Sequence, residues 1–292
     1  MPDAREGFVD FRGYRTWYRI VGDPAGSRAP LLALHGGPGS THHYFAPLER
    51  LADDRAVAVY DQIGCGQSDR PPAFDWSVDV FREEVDAVRS QLGLARIHLL
   101  GTSWGGMLAL EHVLAGADGI QSLILSSTGA STEEWVRELK RLRAELPADV
   151  VATLDRLEAA GAYDDPEYEA AEAVLMDRHF YRGPKPRPEL ERMAAERGAD
   201  AYRAMLGPNE WTVTGPLKDW DVRSRLHEIV VPTLVIRGRH DMSTEAVSRT
   251  LVDGIRAARY VVLDESSHTP VLEETERYLA TVRDFLRECD PR

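Results

Sequence analysis

The chain has 292 residues, of which 43% are hydrophobic and 28% are charged, and its formal net charge is −13 at pH 7. Such a chain can form one large soluble domain with an insertion, and its negative charge disfavours nucleic acids and anionic membranes as partners. No stretch reaches the roughly 18 apolar residues of a membrane span, and the opening MPDAREGFVD lacks the pattern of a signal peptide, so we expect a cytoplasmic protein.

Six continuous aliphatic runs, each followed by turn residues, predict strands that are buried on both faces of a parallel sheet. The runs begin at Leu31, Ala56, Ile97, Ser122, Pro232 and Arg259. Helical patterns lie between several of them, such as SVDVFREEVDAVRSQLG and GGMLALEHVLAGA. Strands that alternate with helices in this way predict an α/β fold with right-handed crossovers. Ahead of the first run, GFVDFRGYRTWYRIVG predicts an antiparallel hairpin that turns at Gly13.

The segment from residue 131 to residue 219 contains no buried-strand run and has the pattern of a helical insertion. Its first stretch, STEEWVRELKRLRAEL, has Glu134 three residues after Ser131, which predicts a capping box at a helix start. Two further helices are predicted by DPEYEAAEAVLMDRHFY and RPELERMAAERGADAYRAML. We therefore predict a first core segment over 1–130, a helical cap over 131–219 that serves as a lid, and a second core segment over 220–292.

The stretch IHLLGTSWGG runs from a predicted strand through Gly101, Ser103 and Gly105 into a predicted helix. This is the G-x-S-x-G pattern in the strand-turn-helix context that makes a serine nucleophile. The glycines suit a tight turn crowded by neighbouring strands, and the helix N-terminus favours negative charge beside the serine. A glycine turn without chemistry is the alternative, and the context favours Ser103 as a nucleophile.

The stretch LHGGPG at residues 34–39 ends an earlier strand. It could be a simple glycine-proline turn. In the functional interpretation it forms an oxyanion hole, in which the backbone N–H groups of Gly37 and Trp104 hold the anionic oxygen of a tetrahedral intermediate. His35 is expected to support this loop rather than to react.

Asp241 follows a late strand in VIRGRHD, and His268 follows the last strand in LDESSHT. Catalytic groups in open α/β sheets gather at the carboxyl ends of strands, and the chain order Ser, Asp, His is one that such sheets use. Among the nine histidines, His268 alone combines this neighbourhood with this order. We predict His268 as the general base of Ser103 and Asp241 as the acid that orients it.

These motifs together resemble those of proline iminopeptidases, which are serine aminopeptidases of the α/β-hydrolase fold with a helical cap. HGGPG, YDQIGCGQSD, GTSWGG, GRHD and SSHTP occur in this order over nearly the whole chain. The resemblance implies a mostly parallel central sheet, a small peptide or aminoacyl-amide substrate and no cofactor. GPNEWTVTGPLKDWD resembles the cap motif of that group, in which a glutamate binds the free amino group of the substrate, and this implies the same role for Glu210.

The chain departs from this group at Met242, where members often carry a second acidic residue directly after the triad aspartate. Glu245 follows shortly as a possible specificity residue, although its spacing differs. An apolar Met242 is compatible with a broader acyl specificity, so an amidase, or a hydrolase that removes an aminoacyl group from a biosynthetic intermediate, is an alternative. Esterases and lactonases use the same triad, and some relatives are small-ligand receptors with little turnover.

The two cysteines, Cys65 and Cys289, are distant in the sequence and indicate neither a disulfide framework nor a metal cluster. Cys65 is expected to be a small buried residue beneath the active site, because Ser103 makes a second nucleophile unnecessary.

Overall fold

Eight strands form one sheet in the computed structural model, which describes residues 3–290. In chain order they are β1 (Ala4–Phe11), β2 (Tyr14–Val21), β3 (Leu31–Leu34), β4 (Val57–Tyr60), β5 (Ile97–Thr102), β6 (Ile120–Ser126), β7 (Thr233–Gly238) and β8 (Arg259–Leu263). Their order across the sheet is β1-β2-β4-β3-β5-β6-β7-β8. The pairs β1–β2 and β2–β4 are antiparallel, and every other pair is parallel. The predicted hairpin and the mostly parallel α/β sheet are confirmed.

Ten α-helices are present among residues 3–290: α1 (Val78–Gln91), α2 (Trp104–Leu114), α3 (Thr132–Ala144), α4 (Ala148–Ala159), α5 (Pro166–His179), α6 (Pro188–Ala195), α7 (Ala199–Met205), α8 (Glu245–Gly254), α9 (Pro270–Glu273) and α10 (Thr275–Cys289). Apolar residues of α1, α2 and α8 belong to one buried cluster with the sheet. A second cluster joins the sheet to α10 and to a 3₁₀ helix over His42–Asp53. Strands with apolar side chains on both faces of the sheet need a layer of helices on each face. None of the described helices is both long and apolar enough to cross a membrane.

Helices α3 to α7 lie between β6 and β7, in the segment for which a cap was predicted. Helices α3, α4 and α5 contribute to a third apolar cluster, which includes Leu139, Leu154 and Leu175 and also Trp211 from the segment after α7. Met242, from the loop after β7, also belongs to this cluster. This helical segment, which we call the cap, is thereby packed directly against the segment that carries the predicted triad acid.

The predicted capping box at the start of α3 is wrong. Ser131 is the N-cap residue, but its side chain makes no cap hydrogen bond. Its backbone instead bridges to Asp221, and the Glu134 carboxylate accepts a hydrogen bond from Thr250 Oγ1 at 2.9 Å. Tertiary contacts therefore replace the local pairing that the sequence pattern indicated.

Candidate active site

Ser103 lies in the turn between β5 and α2 with φ 56° and ψ −126°. Positive φ is unusual for a residue with a side chain and marks a strained backbone, which in many enzymes accompanies a functional site. A Cβ on Gly101 would overlap the carbonyl oxygen of Gly105, and a Cβ on Gly105 would overlap that of Leu34. The glycines on both sides of the turn are therefore sterically required.

His268 and Asp241 are in contact, although 27 residues separate them in the chain. His268 Nδ1 lies 2.7 Å from Asp241 Oδ1, and both side chains are buried. The same carboxylate oxygen accepts a hydrogen bond from the backbone N–H of Ser243 at 2.8 Å. Because a carboxylate oxygen accepts hydrogen bonds, the neutral imidazole of His268 carries its proton on Nδ1 and leaves Nε2 as an acceptor.

The loop that carries His268 is held by contacts that the sequence did not indicate. Glu273 accepts hydrogen bonds from the backbone N–H and the hydroxyl of Ser267, at 2.9 and 2.7 Å. The carbonyl oxygen of His179, at the end of α5, accepts from the backbone N–H groups of His268 (3.2 Å) and Met242 (3.3 Å). One helix of the cap thus holds both loops that supply the histidine and the acid.

The backbone N–H groups of Gly37 and Trp104 donate no hydrogen bond within residues 3–290 and are available for a ligand. The loop of Gly37 is tied to the turn of Ser103 through Gln62. The Gln62 side chain donates a hydrogen bond from Nε2 to the carbonyl oxygen of His35 (2.9 Å). Its Oε1 accepts a hydrogen bond from Trp104 Nε1 (2.8 Å). The sequence interpretation did not include Gln62, because no pattern marks it.

His35 supports the loop, as expected from the sequence. Its Nε2 accepts a hydrogen bond from the backbone N–H of Gln62 at 3.0 Å, and its Nδ1 therefore donates to the carbonyl oxygen of Gly36 at 2.9 Å. Burial lowers the pKa of His35 to about 4, so the ring stays neutral. Cys65 is fully buried beside it, and burial raises the pKa of its thiol.

A cavity of about 310 Å³ extends from Ser103 and His268 to the underside of the cap. Gly37 lies on its wall, and apolar side chains make up much of the remaining surface: Met176, Phe180, Met193, Pro208 and Met242. A smaller apolar pocket adjoins it, lined by Trp104, Met107, Val213 and Leu217 among others. Ser103, Gly37 and Glu210 line both spaces.

Glu210 therefore lies at the junction of the two spaces, in the cap segment after α7. Its carboxylate accepts a hydrogen bond from Tyr202 Oη at 3.3 Å. Burial raises the pKa of Glu210, and the nearby His268 opposes that rise.

A second carboxylate, that of Glu172 on α5, lines the larger cavity. Burial, and next the charge of Glu210, raise the pKa of Glu172 to about 7. The sequence offered no signal for Glu172, which is one of several acids on a polar helix.

The two possible specificity residues lie in different environments. Met242 is 3% exposed and lines the cavity. Glu245 is the first residue of α8, where its exposed side chain pairs with Arg249 at 3.4 Å. It is not among the residues that line the cavity. The helix begins at Glu245 and directs that carboxylate to solvent.

Comparison with known proteins agrees with this arrangement. The sequence pattern of the α/β hydrolase fold family matches residues 29–275. A proline iminopeptidase of Lactobacillus helveticus (strain DPC 4571) is 39% identical over 290 residues, which cover 98% of each chain. The crystal structure of VinJ superposes with a TM-score of 0.95 at 40% identity, over 99% of this chain and 100% of that one. The crystal structure of the Mycobacterium smegmatis proline iminopeptidase gives a TM-score of 0.87 at 39% identity, over 98% of both chains. The chain therefore belongs to the α/β-hydrolase family, and within it to the proline iminopeptidase group.

Proposed function

We propose that this protein is a serine hydrolase of the aminopeptidase type, which releases the N-terminal residue of a small peptide through an acyl-enzyme. The observation that carries the proposal is the shared cavity. The strained Ser103, the base of the His268–Asp241 pair and the half-buried carboxylate of Glu210 all open into it. The proline iminopeptidases at 39% identity support the same activity.

In this mechanism Ser103 Oγ attacks the carbonyl carbon of the first residue while Nε2 of His268 takes the hydroxyl proton. Asp241 keeps the imidazole in the required tautomer and stabilises its protonated form. The N–H groups of Gly37 and Trp104 donate to the oxyanion. His268 then gives the proton to the leaving amine, and a water molecule hydrolyses the ester by the same steps.

Glu210 gives the reaction its preference for a free amino terminus. An ammonium beside this half-buried carboxylate forms a charge-assisted hydrogen bond and removes the cost of an unpaired charge. The small apolar pocket that adjoins Glu210 favours a small or apolar first residue such as proline or alanine. The leaving group lies on the other side of the scissile bond, so an aminoacyl amide of a small molecule is the second candidate substrate.

The test is hydrolysis of prolyl, alanyl and leucyl p-nitroanilides and of their N-acetylated forms. We expect turnover of the free-amine compounds, a strong preference over the acetylated ones, and a loss on the order of 10⁴- to 10⁶-fold in kcat for Ser103→Ala. Equal rates on free and acetylated substrates would show that the protein is a general esterase or amidase. Activity of Ser103→Ala above a tenth of the wild-type rate would show that Ser103 is not the nucleophile.

A further inference from the structure

The larger cavity presents two carboxylates rather than one. Glu172 reaches it from α5 and Glu210 from the segment after α7, and both belong to the cap. Both line the same cavity, and the negative charge of Glu210 raises the pKa of Glu172. Two carboxylates in one cavity repel each other when no cation lies between them, and such a pair favours a shared proton or a shared cation.

The two carboxylates differ in the hydrogen-bond partners that the protein provides. Glu210 has a hydrogen-bond donor in Tyr202. Within residues 3–290, no side chain or backbone group makes a hydrogen bond or an ion pair to Glu172. Arg197 is near enough to lower the pKa of Glu172, but it lies at the exposed rim and forms no salt bridge with it. A half-buried carboxylate that faces a cavity without a partner is satisfied by a ligand.

We propose that Glu172 is a second ammonium-binding group, which holds the substrate's free α-amino group together with Glu210. This proposal rests on the proposed function and extends it. An ammonium has three N–H donors, and two carboxylates accept two of them at once. Apolar Met242 and Met176 line the same cavity and Arg197 lies at its rim, so the two carboxylates are the anionic groups of the lining that favour a cation.

The position of Glu172 on its helix gives the contact a further consequence. Glu172 and His179 are seven residues apart on α5, so they lie on one face of the helix, two turns apart. The carbonyl oxygen of His179 holds the loops of His268 and Met242. A substrate bound at Glu172 therefore contacts the same rigid helix that positions the catalytic histidine.

The decisive variant is Glu172→Gln, with Glu169→Gln as the matched control. Glu169 lies on the same helix, is exposed and does not line the cavity. For alanyl and prolyl p-nitroanilides we expect Glu172→Gln to lower kcat/KM about 5- to 30-fold, between the effects of exposed and of buried charge contacts. N-acetylated substrates should lose less than about twofold, and Glu169→Gln should lose less than about twofold on every substrate.

A binding measurement separates recognition from chemistry. In the Ser103→Ala background, alaninamide should bind more weakly when Glu172→Gln is added, and uncharged propionamide should bind equally to both. Glu172→Asp keeps the charge on a shorter side chain and should retain part of the preference for alaninamide.

Three outcomes are informative. Selective loss in Glu210→Gln with none in Glu172→Gln would overturn this inference and leave the proposed function standing. Equal losses of Glu172→Gln on free and acetylated substrates would show that Glu172 only supports the cap. If wild type itself shows no preference for a free amine, the proposed function fails, whatever the result for Glu172.

Discussion

Replacing Glu210 with glutamine should lower kcat/KM for substrates that carry a free amino group and should spare N-acetylated ones. The carboxylate is half-buried at the junction of the two pockets and accepts a hydrogen bond from Tyr202 at 3.3 Å. Glutamine keeps the size of the side chain and an oxygen acceptor for Tyr202. The variant therefore removes the charge and little else.

The magnitude follows from the burial of this contact. A hydrogen bond to a charged group contributes about 1.5–3 kcal/mol, which corresponds to a loss of about 10- to 150-fold in kcat/KM. Burial raises the pKa of Glu210, so we expect solvent to screen this contact less than it would at an exposed position. If Glu172 shares the ammonium, the remaining carboxylate retains part of the binding and the loss lies in the lower half of this range.

The assay compares alanyl and prolyl p-nitroanilides with N-acetylalanyl p-nitroanilide and p-nitrophenyl acetate, in wild type, in Glu210→Gln and in Glu245→Gln. The last variant removes one negative charge at an exposed position outside the cavity and should match wild type on all four substrates. A loss in Glu210→Gln that is equal for free and blocked substrates would refute the reasoning. Glu210 would then support the cap, and the selectivity would have another origin.

Gly105→Ala should destabilise the protein by about 3 kcal/mol or prevent folding, because its Cβ would overlap the carbonyl oxygen of Leu34, and an unchanged urea midpoint would contradict this. Gln62→Leu should leave the buried Trp104 Nε1 without an acceptor, which should lower the free energy of unfolding by about 1–3 kcal/mol. The same variant should change kcat more than it changes KM, and an unchanged kcat would show that Gln62 does not position the oxyanion hole. Burial raises the pKa of Glu84 to about 8 from 4.5, so the folded protein keeps a proton that the unfolded chain releases, and the free energy of unfolding should fall as pH rises across that window. Urea titrations at pH 5, 6.5 and 8 should show that Glu84→Gln lacks this contribution, and equal slopes in both proteins would contradict the prediction.

The buried strands and the nucleophile turn could be predicted from the sequence because the forces behind them act locally. A strand covered on both faces needs a continuous aliphatic run, as in β3 and β5. The turn at Ser103 needs glycines on both sides, because its neighbours leave no room for a Cβ. Asp241 and His268 could be placed because parallel strands end at one edge of the sheet, which brings residues that are distant in the chain to one place.

The remainder of the site depends on how the elements pack, and local patterns do not determine that. Glu134 has the spacing of a capping box. Because α3 packs against α8, however, its carboxylate accepts a hydrogen bond from Thr250 instead. Gln62 and Trp104 are 42 residues apart and meet only after β4 and β5 have taken their places in the sheet. Glu245 is near Asp241 in sequence but is turned to solvent by the helix that begins there.

The sequence by itself determined the α/β class, the chain order of Ser103, Asp241 and His268, and the glycines that make the nucleophile turn possible. Only the tertiary structure decided that the end of α5 holds the histidine loop and that Glu172 faces the same cavity as Glu210. The physical reason is the range of the interactions. Periodicity and backbone sterics act over a few residues of chain, whereas a carboxylate on a polar helix is distinguished from its neighbours only by what the folded chain brings opposite it.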